Sequence, residues 1–177
     1  MNKNRRTAAV VTALTAAGLI LTACSTAESE DVAQQSDSVV IHEQWVKAAE
    51  SGMTAAFAEL ENTGERDVHV VGASSAASTS TELHEMATGA DGAMVMRPKA
   101  GGFVIPAGGT HSLSAGGDHL MLMDVTEPLT TGADTEFTLE LEDSSTVTFS
   151  AQVRDFAGAD ENYEPGAHEM PEGTHGG

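Results

Sequence analysis

The sequence predicts an all-β sandwich or barrel, on three observations. Ten short runs of apolar or alternating residues follow one another between residues 39 and 154, and turn residues separate them. This spacing is typical of β-sandwiches and β-barrels. No long amphipathic helical pattern interrupts the series. Ten strands over about 115 residues can enclose one modest hydrophobic core, so a single domain is expected.

The predicted strands are bounded mainly by Gly, Asn, Ser and Asp, residues that favour turns. The last two strands form the clearest hairpin, because alternation on both sides of "EDSS" gives each of them one buried face. In chain order the runs are VVIHEQWVKA (39–48), MTAAFAEL (53–60), DVHVVGA (67–73), STELHEM (80–86), AMVMR (93–97), GFVI (102–105), HSLS (111–114), DHLMLMDV (118–125), TEFTLEL (135–141) and STVTFSAQVR (145–154).

The N-terminal region has the layout of a secretory lipoprotein signal. Residues 1–23 combine a basic start, an apolar run and small residues before a cysteine. "LTAC", ending at Cys24, resembles a bacterial lipobox, whose cysteine is lipidated and becomes the first residue of the mature protein. Residues 24–38 are polar and read as a flexible tether. We therefore expect an extracytoplasmic domain, residues 39–157, anchored to the cell membrane through Cys24.

Charge and cysteine content exclude several functions. All 27 acidic residues follow the signal, and only five of the 8 basic residues do, so the mature chain carries a formal charge of −22. Such a charge argues against nucleic acid as a partner. Cys24 is the sole cysteine, which leaves the domain without a disulfide, a thiol nucleophile or a cysteine-rich zinc site. No catalytic triad, carboxylate pair or phosphate loop stands out, so no enzymatic activity is expected.

Histidine and methionine occur at alternate positions in two predicted strands. His84 and Met86 are two residues apart, as are His119 and Met121, and side chains at this spacing share one face of a strand. Methionine commonly fills gaps in cores, so one such pair means little. Two such pairs, a third pair at Met94 and Met96 with the same spacing, and a C-terminal segment with His and Met together favour a site for Cu(I), which thioethers bind well. Alternation also places Met123 on this face and does not choose between it and Met121.

The C-terminal segment, residues 158–177, is predicted to be disordered, since it is polar and rich in Gly and Pro. It nevertheless contains His168, Met170 and His175. A segment without a core has no packing use for methionine. The hypothesis is that these three residues help to capture copper, including Cu(II), or form a second weak site.

The order of motifs "LHEM", "MVMRP", "IPAGGT" and "GGDHLMLM" between residues 83 and 123 resembles the PCu(A)C family of periplasmic copper chaperones. The resemblance spans nearly the whole domain. It implies a cupredoxin-like, Greek-key β-barrel that binds Cu(I) through His84, Met96, His119 and Met121. The loop after His84 differs in length from other members, so Met86 or Met94 competes for the place of Met96.

The resemblance implies a chaperone that delivers Cu(I) by ligand exchange to the CuA centre of cytochrome c oxidase, in its subunit II, or to a thiol-bearing assembly factor. General copper buffering or resistance, and a metal-free envelope lipoprotein, are the alternatives. A blue-copper electron carrier requires a cysteine thiolate, which the domain lacks. His42 and His69 are expected to be surface or hydrogen-bonded residues, and His111 to lie at most near the rim of the site.

Overall fold

A computed structural model describes residues 33–90 and 92–158. All ten predicted strands are present, and their ends lie within two residues of the predicted ends. The strands are β1 (Val39–Lys47), β2 (Thr54–Asn62), β3 (Val68–Ser74), β4 (Ser78–Thr88), β5 (Met94–Pro98), β6 (Phe103–Ile105), β7 (Thr110–Leu113), β8 (His119–Val125), β9 (Asp134–Leu141) and β10 (Thr146–Arg154).

Seven strands close into a barrel. They pair in the order β4-β8-β2-β1-β10-β9-β3, and the pairing of Ala73 with Thr81 joins β3 back to β4. Strands β1 and β10 run parallel, and the other neighbours in the barrel are antiparallel. The remaining three strands flank the ring, with β5 beside β4, β6 beside β3 and β7 beside β2. The expected all-β, cupredoxin-like fold class is confirmed.

The barrel interior holds the main hydrophobic core. Its members come from alternate positions of the strands, because successive side chains point to opposite faces. Burying them removes apolar surface from water, at roughly 25 cal/mol per Å². The largest of these side chains, all at most 1% exposed, are Phe103, Phe137, Leu60, Ile105, Leu120, Leu122, Leu139 and Leu141.

A β-bulge in β1 reverses the facing of the strand halfway along it. The pairing with β2 shifts by one residue between His42 and Trp45, and Glu43 within this stretch has a φ of 52°. An extra residue of this kind changes which side chains point inwards. As a result, Ile41 packs on the main core, whereas Trp45 faces the other side of the sheet.

A short 3-10 turn, Gln35–Ser38, precedes β1 and is attached to the barrel. The Gln35 amide donates to Asp143 Oδ2 at 2.7 Å, and the Thr63 amide donates to the Ser38 carbonyl at 2.8 Å. The hydrogen bond from Gln35 is the main cause that lowers the pKa of Asp143 below its ordinary value. The last residues assigned to the tether thus lie on the domain.

Several of the sequence-based expectations fall outside the described residues. The signal segment, Cys24 and most of the tether belong to residues 1–32, and His168, Met170 and His175 belong to residues 159–177. Within 33–90 and 92–158, no helix is long and apolar enough to span a membrane.

Leu120→Ala should lower the free energy of unfolding by about 2–5 kcal/mol, because Leu120 is 1% exposed inside the barrel and truncation leaves a cavity. Val104→Ala is the matched control, since Val104 is 42% exposed on β6, and we expect a change within about 0.5 kcal/mol. Urea unfolding measures both. If both variants lost the same free energy of unfolding, Leu120 would not face the core.

Candidate metal centre

The two His-x-Met pairs lie on adjacent strands and in register. Strands β4 and β8 pair antiparallel, with His84 directly opposite His119 and Leu83 opposite Leu120. Leu83 and Leu120 point into the main core. His84 and His119 therefore share the other face of the sheet, and their ring centroids are 5.6 Å apart at an interplanar angle of 62°.

This second face carries its own buried cluster. Met96 and Met121, each 5% exposed, pack there with Ala55 and Phe57. The two histidines are more deeply buried, with 0% exposure for His84 and 2% for His119. Leu120 and Leu122, as predicted, point the other way into the main core.

The ring of His119 is held in one orientation by the turn that precedes β8. Its Nδ1 lies 2.9 Å from the carbonyl oxygen of Gly117. A carbonyl oxygen only accepts hydrogen bonds, so Nδ1 carries the proton in the neutral ring. Nε2 then presents a lone pair, and it lies 3.0 Å from the sulfur of Met96. Two electron-pair donors thus face each other in a buried place.

His84 takes the opposite tautomer. Its Nε2 lies 2.8 Å from Oε2 of Glu82, a carboxylate two residues earlier on the same face of β4. Nε2 therefore donates, and the buried Nδ1 carries the lone pair. A carboxylate that accepts from one imidazole nitrogen fixes the ring and raises the basicity of the other nitrogen, as it does in metal sites.

The remaining methionines differ in position. Met86 lies directly opposite Met96 on β4 and β5, and Met86 and Met123 are half-buried against the second cluster. Met94 is 54% exposed, and its sulfur lies 3.8 Å from the hydroxyl of Thr88. Of the methionines on β5, Met96 is the one that the fold brings to the histidines.

A cavity of about 330 Å³ opens beside the histidine–methionine cluster. The segment between β1 and β2 forms one wall, and the ring of Phe57 forms another. Three of the four residues singled out by family resemblance line this cavity. Its lining residues are Lys47, Ala48, Ala49, Met53, Thr54, Ala55, Phe57, Met96, His119 and Met121.

Aromatic rings connect this cavity to the single tryptophan of the chain. The ring of Phe57 lies 6.2 Å from that of His119 and 4.6 Å from that of Trp45. Phe156 packs edge-on against Trp45 at 5.2 Å. The fluorescence of Trp45 is therefore a natural reporter of changes at His119.

Charged residues on the opposite face of β4 and β5 fix the start of β8. Glu85 pairs with Arg97 at 3.0 Å and with Lys99 at 2.9 Å, and Lys99 also lies 3.4 Å from Asp118. The hydrogen bond between Glu85 and Lys99 lowers the pKa of Glu85 and raises the pKa of Lys99. Because Asp118 immediately precedes His119, this network helps to hold that histidine in place.

The other histidines behave as expected. His42 is exposed and lies 2.7 Å from Glu61, and His69 lies 3.9 Å from Glu142. His111 stacks on Phe103, with ring centroids 5.1 Å apart. Its Nε2 is 3.0 Å from Asp118 Oδ2, an ion-pair distance without hydrogen-bond geometry.

Sequence reasoning missed two residues of this centre. Glu82 could have been found, since its spacing from His84 places both on one face of β4. Met53 could not have been found from the sequence. The start of β2 reaches this site through the pairing of β2 with β8, in which Ala55 lies opposite Met121. Among the described residues, no group of three or more His, Cys, Asp or Glu is arranged to hold a metal ion.

Fold and cluster together define a class: an all-β barrel with a buried, soft set of histidine and methionine donors beside a cavity. Residues 39–153 match the family model described as "Putative lipoprotein LpqE-like". The chain belongs to this LpqE-like lipoprotein family. It is 43% identical over 164 residues to "Putative lipoprotein Lxx21020" of Leifsonia xyli subsp. xyli (strain CTCB07), covering 90% of this chain and 98% of that relative.

Solved structures with a similar fold include PCuAC domains. A copper-bound PCuAC domain from PmoF2 superposes with a TM-score of 0.55 at 21% identity, over 67% of this chain and 94% of the domain. The solution structure of CuI-DR1885 from Deinococcus radiodurans gives a TM-score of 0.52 at 28% identity, over 68% of this chain and 83% of that one. The resemblance to PCu(A)C proteins is thus supported by the fold, while the matching family model is LpqE-like.

In the metal-free protein, His119 should be the Nδ1–H tautomer and His84 the Nε2–H tautomer, because the Gly117 carbonyl and the Glu82 carboxylate accept from those nitrogens. Long-range ¹H–¹⁵N correlation spectra distinguish the two forms. In Glu82→Ala, the tautomer of His84 should become mixed and that of His119 should not change. An Nε2–H form of His119 would contradict the described geometry.

Proposed function

We propose that this chain is an extracytoplasmic copper chaperone that holds Cu(I) with His84, Met96, His119 and Met121 and passes it on by ligand exchange. The observation that carries the proposal is the 3.0 Å approach of His119 Nε2 to the sulfur of Met96. Since Nδ1 donates to Gly117, two lone pairs meet, and a soft cation between such donors would turn repulsion into coordination.

The type of donor favours Cu(I) as the cargo. Thioether sulfur is polarizable and neutral, and it suits Cu(I) far better than zinc, calcium or magnesium. The structures of a copper-bound PCuAC domain and of CuI-DR1885 share the barrel. The burial of Met96 and the 54% exposure of Met94 favour Met96 as the ligand, with Met86 and Met123 as supporting neighbours.

The positive charge of a bound Cu(I) ion would be offset by a nearby carboxylate. Two imidazoles and two thioethers are neutral, so Cu(I) would bring one uncompensated positive charge into a buried place, which is costly. Glu82 offsets this charge through its hydrogen bond to His84 at 2.8 Å. The formal charge of −22 expected for the mature chain adds a field that attracts cations.

Delivery would follow from the weakness of the ligands. A recipient with thiolates binds Cu(I) more strongly than thioethers do, so the thioethers can leave one at a time as thiolates replace them. Copper remains Cu(I) throughout, and no reductant is required. The proposed recipient is the CuA centre of cytochrome c oxidase subunit II or a thiol-bearing assembly factor, and lipidation of Cys24 would keep the chaperone at the membrane surface.

General copper buffering or resistance would use the same four ligands, and a metal-free envelope lipoprotein would use none of them. The His119–Met96 approach favours a metal-binding role over the metal-free one. A transfer assay with an apo-CuA domain separates delivery from buffering, because a buffer would not load that domain faster than a free chelate of equal affinity.

Met121→Leu should weaken Cu(I) binding by about tenfold or more while the protein stays folded, because leucine keeps the volume and removes the sulfur. His119→Ala should weaken it further. A competition titration against a chromogenic Cu(I) chelator measures both, on a chain in which Cys24 is replaced by Ser. If neither variant binds Cu(I) more weakly than the parent, with stability unchanged, the assigned ligands are wrong.

Deleting residues 160–177 should leave the high-affinity Cu(I) site intact and remove a weaker site, including one for Cu(II), formed by His168, Met170 and His175. Equilibrium dialysis at a few equivalents of each ion counts the sites in the full and shortened chains. The hypothesis of copper capture by this segment ends if the stoichiometries are identical. Combining the deletion with His119→Ala shows whether the two sites are independent.

A further inference from the structure

Met53 occupies a place in the candidate metal centre that neither the sequence motif nor the family resemblance assigns. It lies immediately before β2 and lines the same cavity as Met96, His119 and Met121. It is 44% exposed, whereas those three residues are 2–5% exposed. Its side chain therefore spans the boundary between solvent and the buried donors.

The backbone around Met53 is held in place at several points. Gly52, with a φ of 77°, makes a turn that most other residues would strain to adopt, and its carbonyl accepts from the Val125 amide at 2.8 Å. Earlier in the segment, Ala49 exchanges two backbone hydrogen bonds with Leu129, at 2.8 and 3.2 Å. The position of Met53 at the cavity mouth is thus set by the fold.

Exposure of the methionine side chains rises from the buried donors towards solvent. The pairing of β2 with β8 places Ala55 opposite Met121 and ends with Thr54 opposite Leu122. Met53 directly precedes Thr54 and lines the same cavity as Met121. Met121 is 5% exposed and Met53 is 44% exposed, so Met53 lies on the solvent side of the donor that this pairing positions.

A donor in this position would assist ligand exchange. The four proposed ligands are at most 5% exposed, so a recipient thiolate would approach the ion through the cavity that Met53 also lines. A neutral thioether at the mouth can form one Cu–S bond as the bond to a buried ligand breaks, and can yield that bond in turn to the recipient sulfur. The copper stays monovalent and only ligands are replaced.

We propose that Met53 is a transient Cu(I) ligand, through which copper passes between the buried site and an external donor or acceptor. This inference rests on the proposed function, because it requires Cu(I) to occupy the buried site. Met53 contributes to the rate of exchange and not to the resting affinity, since the resting donors are complete without it.

The test compares Met53→Leu with the parent and with Met94→Leu, in the full mature chain with Cys24 replaced by Ser. Met94 is the matched control, because it is also an exposed methionine, at 54%, and is not among the described residues that line the cavity. Stopped-flow mixing of Cu(I)-loaded protein with excess chromogenic chelator, followed by absorbance and by the fluorescence of Trp45, gives the transfer rate. Competition titration gives the affinity.

Met53→Leu should slow transfer by about tenfold, equivalent to about 1.4 kcal/mol in the barrier, and should change the affinity by less than about threefold, as an isosteric substitution outside the resting ligands. Met94→Leu should change neither. An unchanged transfer rate in Met53→Leu overturns the inference. A loss of Cu(I) affinity of about tenfold or more also overturns it, because Met53 would then be a resting ligand. Failure of the parent to bind Cu(I) would instead overturn the proposed function.

Discussion

The antiparallel pairing of β4 with β8 is the constraint on which the candidate centre depends. His84 faces His119 across this pair, and the next residues, Leu83 and Leu120, face each other on the opposite side. Because the side-chain period is two, a slip of one residue would turn the leucines outwards and the histidines into the barrel. Core packing and donor geometry are therefore fixed by one register, and the barrel core stabilises the centre without contacting a metal.

Much of the fold could be predicted from the sequence, because its signals are local. Alternation and turn residues located all ten strands, and the i, i+2 rule placed His119 and Met121 opposite Leu120 and Leu122. Strand order could not be predicted in this way, since it depends on contacts between distant segments. The parallel pairing of β1 with β10 and the closure of β3 on β4 leave no mark on the alternation of any single strand.

The gaps in the sequence-based description of the centre have the same cause. The bulge at Glu43 reverses the facing of Trp45, and simple alternation along β1 gives no sign of it. Met53 enters the cavity through the register of β2 on β8. The choice between Met94 and Met96 depended on family resemblance, and the exposure of Met94 and the approach of Met96 to His119 now supply a physical basis for it.

The surroundings of the two histidines differ in a way that bears on how a cation could leave. His119 is oriented by a neutral backbone carbonyl, and His84 by the carboxylate of Glu82, which is 37% exposed. A hydrogen bond to a carboxylate raises the basicity of its imidazole more than one to a carbonyl does. His84 should therefore be the stronger donor of the two. Under the proposed function, a recipient that enters by the cavity would first reach the donors that line it, Met96, His119 and Met121. His84 is not among the described residues that line the cavity, so it would be the last donor to release the ion.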